Sequence, residues 1–125
     1  MPRKVKKKRY SIKRDSLDAR FSKFVRSRDE WKCQRCNRFF KEGERQGLHC
    51  SHYFGRRKGG TRFDPANCDS LCFGCHQYFG ENKAKYEIWK ELRMGKNKLC
   101  LLEMRATSVK PDREMVKLWL KKKGF

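Results

Sequence analysis

His49-Cys50-Ser51-His52-Tyr53 is followed by Asn67 and then by Cys72-Phe73-Gly74-Cys75-His76. Leu48 to Phe54 reads as a β-strand, bounded by the glycines at 47 and 55. From Gly74 the chain reads as a helix, interrupted near Gly80. One imidazole group therefore belongs to a strand and the next to the start of a helix. Asn67 falls in the turn after Pro65, and a Cys pair stands immediately before His76.

That pair has a twin. Cys33 and Cys36 repeat the spacing of Cys72 and Cys75, and two such hairpins separated by residues 37–71 can close one four-thiolate zinc site. Cys68, four residues before Cys72, is the competing ligand. Cys50, Cys68 and Cys100 are expected to be small buried residues of the core. Cys50 should face away from His49 on a regular strand. Seven cysteines is an odd number, and this spacing suits metal-bound sulfur better than a disulfide framework.

The 125 residues are enough for one domain and too few for two full ones. With 37% hydrophobic and 38% charged residues the apolar core must be small, and a structural metal is the usual remedy. Thirty-four Lys and Arg stand against 14 Asp and Glu, for a formal charge of +20 and a pI near 10.1. Because these cations are spread along the whole chain, a polyanion is the expected partner, and nucleic acid fits better than a membrane patch. No apolar run approaches the ~20 residues that span a bilayer, and the N-terminal residues lack the apolar stretch of a signal peptide. A cytoplasmic or nucleoid-associated protein is expected.

Outward from the motif, residues 1–14 carry eight Lys or Arg, including Lys6, Lys7, Lys8 and Arg9, and read as a basic flexible arm suited to clamp phosphates. Leu17, Phe21, Phe24 and Val25 recur at helical spacing, which predicts a helix over 16–28 capped by Ser16. Residues 38–47 read as a short strand or turn. Gly55, Gly59 and Gly60 surround Arg56, Arg57 and Lys58 in what reads as a flexible loop. Ile88, Trp89 and Leu92 extend an apolar helical face to Gly95, with further helical segments over 99–105 and 111–122. The fold class expected is α+β. Residues 15–95 would form a zinc-containing domain with its N-terminal helix, and 96–125 a C-terminal helical extension.

His52, Asn67 and His76 resemble the signature of HNH, or ββα-metal, nucleases. The pattern is most similar to the phage NinG/Rap recombination endonucleases: His49-x-x-His52-Tyr53, Arg62-Phe63 ahead of Asn67, then Cys72-x-x-Cys75, with Gln77, Asn82 and Tyr86 beyond. The resemblance covers about residues 16–93. It implies a small zinc-braced ββα-metal core flanked by N- and C-terminal helices. It implies DNA cleavage with a 5′-phosphate product, on branched recombination intermediates such as Holliday junctions or D-loops, by a phage protein acting in the bacterial host cytoplasm. A homodimer would suit the cutting of two strands.

Phosphodiester hydrolysis needs an activated water, a cation facing the phosphate, and help for the leaving oxygen. His52, with an ordinary pKa of about 6.5, can accept the water's proton. His76, oriented by the neighbouring Cys75, is the expected ligand of a catalytic divalent ion, with magnesium expected and manganese or another transition metal tolerated. Where the commonest pattern has Asp or His before the base, this chain has Ser51, so the second ligand is His49, Ser51 or water. Asn67 would hold the loop through both amide atoms. Arg56, Arg57, Lys58 and Arg62 would grip phosphates, and Arg62 lies within the matched pattern and is counted with His52 and Asn67 in the catalytic set. Two rivals remain open: an HNH enzyme acting on linear duplex, and a noncatalytic zinc module that binds nucleic acid.

Overall fold

The computed structural model describes residues 12–125. Among them it is α+β, with five α-helices and one two-stranded antiparallel sheet. The helices are α1 (Ser16–Arg28), α2 (Phe73–Glu81), α3 (Lys83–Met94), α4 (Lys96–Ala106) and α5 (Arg113–Lys122), and the strands are β1 (Leu48–His52) and β2 (Cys68–Cys72). No helix among the described residues is long and apolar enough to cross a membrane. Lys6, Lys7, Lys8 and Arg9 lie outside the described residues.

The register pairs Leu48 with Cys72 and His52 with Cys68, so the strand carrying two of the histidines is fixed against the strand that leads into α2. Every residue of β2 is buried, because helices pack on the sheet from two directions. One core cluster joins Cys33, Leu48, Leu71, Cys72, Cys75, Phe79 and Tyr86. The other joins Leu17, Phe21 and Val25 of α1 to Cys68 and to Leu120 of α5. Leu120, with Val116, Trp119 and Phe125 partly buried around it, therefore joins the α1 cluster. Trp119 meets Phe24 edge-on at 4.8 Å, and Arg20 Nε donates to the Phe125 carbonyl at 2.8 Å.

The helices begin where local chemistry permits. Asp15, rather than Ser16, caps α1, because its carboxylate accepts from the N–H groups of Leu17 and Asp18 while Asp18 reaches back to the Asp15 N–H. Asn82, rather than Gly80, separates α2 from α3. α4 starts at Lys96, directly after Gly95 at φ 82°, and α5 after the Asp112 cap. Over 38–47 the pairing is limited to one bridge between Lys32 and Phe39, which closes the first Cys hairpin.

α3 is tied to the sheet by an ion pair that sequence patterning does not reveal. Lys90 is 2% exposed, and its Nζ donates to Asp69 Oδ2 at 2.6 Å and to the Ala66 carbonyl at 2.8 Å. Gly60 is required by a close approach: a Cβ there would lie 2.0 Å from the Arg105 carbonyl oxygen. The glycine-rich segment is thus packed against the end of α4.

Candidate active site

Cys33, Cys36, Cys72 and Cys75 lie close together, with all four sulfurs within 4.8 Å of one another. The Cys36 and Cys72 sulfurs are 3.8 Å apart, and thiolates bound to a tetrahedral zinc at about 2.3 Å would be separated by about 3.8 Å. In each hairpin the last Cys N–H points at the first sulfur, Cys36 to Cys33 at 3.5 Å and Cys75 to Cys72 at 3.4 Å. Arg35 Nη1 also donates to Cys75 Sγ at 3.4 Å. Burial alone would raise the Cys33 pKa, but the backbone N–H groups of Cys36, Cys72 and Arg35 bring it down to about 7. Burial of Cys75 dominates over the Arg35 contact, and its thiol is pushed up to about 12. This donor set can hold a zinc ion and ties the end of α1 to the start of α2. Cys68, the competing ligand, is instead buried against α1.

The three histidines converge. His49, His52 and His76 all line one cleft of about 350 Å³, together with Asp18, Ser22 and Arg26 of α1, and with Arg14, Arg45 and Arg56. A second cleft, bounded by Tyr53, Lys83, Tyr86 and Glu87, shares His52, Gly55 and His76 with the first. His52 and His76 therefore stand where the two clefts meet.

His52 Nε2 is 2.9 Å from the Arg62 carbonyl oxygen. A carbonyl only accepts, so Nε2 carries the proton and Nδ1 keeps the lone pair of the neutral ring. Burial lowers the His52 pKa against the pull of that carbonyl, and the Arg56 charge adds to the lowering. Wholly buried Asn67 holds the intervening loop: its Oδ1 accepts from Phe54 N at 2.8 Å, and its Nδ2 donates to the Phe54 carbonyl at 2.9 Å and the Thr61 carbonyl at 3.1 Å.

The His76 ring lies 5.1 Å from that of His49, nearly parallel at 19°. It is exposed on its outer side, yet its pKa is lowered by desolvation of the packed side and then by charge on His49 and His52. His49 Nε2 is bonded to the Gln46 carbonyl at 2.9 Å, which leaves its Nδ1 available. Ser51 lines the second cleft, but its hydroxyl is buried and engaged with Tyr86 OH at 2.9 Å. Of the residues named as a second ligand beside His76, His49 is the one whose ring lies next to it.

The basic residues divide. Arg56 lines the histidine cleft, whereas Arg57 and Lys58 are exposed outside its walls. Arg62 does not line it either. Its guanidinium is engaged by buried Asp18, with Nε to Oδ1 at 2.9 Å, while its main-chain carbonyl holds His52. Two core assignments need correction. Cys100 is exposed, because α4 turns Leu102 and Ala106 inward, and Cys50 is only half-buried, beside the α1 cluster. Trp89 is half-buried and completes an aromatic group with Phe79 and Tyr86, themselves stacked at 4.6 Å.

The α1 wall of the cleft is what motif reading misses. Asp18, Ser22 and Arg26 recur every four residues and are all buried, forming a polar stripe beside the apolar one. That periodicity is the available signal. Comparison of the chain with known protein families, with curated proteins and with solved structures finds no match.

Proposed function

We propose that this chain is a metal-dependent DNA endonuclease of the HNH type, acting on branched recombination intermediates. The observation that carries the reading is the setting of His52: a half-buried imidazole of lowered pKa at the junction of two clefts, with Nε2 placed to donate to the Arg62 carbonyl, which makes Nδ1 the basic nitrogen of the neutral ring. The order of antiparallel strands followed by α2, with Asn67 bracing the loop between the strands, supports an HNH core.

In this reading His52 accepts the proton of the attacking water. Asn67 keeps the 53–54 and 61–62 backbone segments together and so holds the Arg62 carbonyl where it orients the ring. Arg56 offers a guanidinium to the phosphate. His76, with His49 beside it, would hold the divalent ion, magnesium or a transition metal that an imidazole pair suits better, and the ion would supply Lewis acidity at the phosphate and leaving oxygen. A formal charge of +20 supports a DNA partner. The preference for branched DNA, the host cytoplasm and a dimeric form rest on the NinG/Rap resemblance.

The test is to incubate wild type and His52→Ala with a labelled four-way junction and a linear duplex, with and without added Mg²⁺. Metal-dependent cutting of the junction by wild type alone supports the reading. Equal cutting of both DNAs at sites that follow base sequence would favour the linear-duplex enzyme. Binding without any cutting would leave a noncatalytic zinc module.

A further inference from the structure

Arg26 is 4% exposed, yet no carboxylate among the described residues is within ion-pair distance of it. Its Nη1 donates to the Glu44 carbonyl at 2.9 Å, and its Nε is buried without a hydrogen-bond partner. The guanidinium carbon lies 5.4 Å from the Trp31 ring centroid, a contact that offsets only part of the cost of burying a charge. Arg26 lines the cleft that holds His49, His52 and His76, and exposed Arg14 and Arg45 line the same cleft.

Burial lowers the Arg26 pKa, with Arg14 and Arg45 adding to the lowering against Cys50 and Glu44. Three guanidinium groups that repel one another around a concave wall, one of them buried and incompletely bonded, match the donor set of a bound anion. We propose that Arg26, Arg45 and Arg14 form a subsite for a backbone phosphate of the DNA, next to the phosphate that reacts at His52. The proposal rests on the nuclease reading for the identity of the anion. The subsite would set the path of the strand along α1, and the buried guanidinium would find there the counter-charge that the protein does not provide.

The experiment scans a synthetic four-way junction in which phosphates around the branch are replaced one at a time by uncharged methylphosphonates, in magnesium-free buffer. Wild type is expected to lose roughly 10-fold in affinity at one replaced phosphate, the effect of one charge-assisted contact. Arg26→Met should bind the unmodified junction correspondingly more weakly and lose nothing further at that position. Because Arg26 is buried, the exposed Arg45→Gln is read in parallel, with the same position showing a reduced loss. If neither variant changes the methylphosphonate profile, or if wild type does not bind the junction, the subsite is overturned. Cleavage is scored separately with Mg²⁺. A coupled phosphate without cleavage would keep the subsite and remove the nuclease reading, and cleavage without a coupled phosphate would do the reverse.

Discussion

His52 Nε2 and the Arg62 carbonyl oxygen are joined at 2.9 Å across the loop that Asn67 braces, and this contact determines which ring nitrogen is basic. On the proposed nuclease reading, loss of the ring in His52→Ala is expected to reduce cleavage by about 10²–10⁴-fold, the range of general-base contributions, with DNA affinity retained. Single-turnover rates on the junction and a parallel binding titration check this. A variant that cuts as fast as wild type would take His52 out of the mechanism.

The lowered His52 pKa also has a sign in stability. The folded-state value lies below the ordinary 6.5, so the unfolded chain takes up the proton first as pH falls. The contribution of the neutral, half-buried ring is complete above about pH 6.5 and is lost as pH falls through the folded value. The Tm of wild type should therefore fall more steeply than that of His52→Gln between about pH 6.5 and 5. Parallel Tm curves for the two proteins would show that burial does not depress this pKa.

Asn67 leaves no spare polar atom. Asn67→Ala strands the partly buried Phe54 N–H and carbonyl, at about 1–3 kcal/mol for each group left without a partner, whereas the Thr61 carbonyl keeps the Asp64 N–H. A loss of about 2–4 kcal/mol in urea unfolding is expected. Asn67→Asp keeps the acceptor but sets a carboxylate against the Phe54 and Thr61 carbonyls, so it should be at least as damaging at neutral pH and partly recover in acid.

How far sequence alone reaches is clear from particular residues. α1, the strand of His49 and His52, and the four-cysteine cluster follow from apolar period and cysteine spacing, which are local signals. The docking of Trp119 on Phe24 and the Lys90–Asp69 pair are contacts between distant segments, which local patterns do not contain. Among 34 Lys and Arg, charge alone does not reveal that Arg26 is buried or that Asp18 holds the Arg62 guanidinium. Ser51 is a candidate ligand only through its place in a motif, and its hydroxyl is engaged by Tyr86, thirty-five residues on.

The cysteines separate by environment. Cys72→Ser removes a buried sulfur that caps α2 and faces Cys36, so it should release bound zinc and cost several kcal/mol, because metal binding in a small core is part of folding. Cys100→Ser, on the exposed side of α4, should leave both zinc content and Tm unchanged. Metal analysis of the purified variants, with thermal unfolding followed by circular dichroism, distinguishes these outcomes. Loss of zinc from Cys100→Ser, or its retention in Cys72→Ser, would contradict the four-cysteine assignment.

Arg62 joins α1 to the loop between the strands, because its guanidinium pairs with Asp18 while its carbonyl holds His52. Arg62→Ala leaves the Asp18 carboxylate, 5% exposed, without this partner, and breaking a buried pair by removing one member costs about 3–5 kcal/mol. The backbone carbonyl remains, so the variant should unfold more readily, while DNA affinity below its Tm stays near that of wild type. Arg62→Lys should recover part of the stability, because a single ammonium restores charge without the two-pronged geometry. If Arg62→Ala instead keeps its stability and loses DNA affinity, the guanidinium grips phosphate and the pair with Asp18 is incidental.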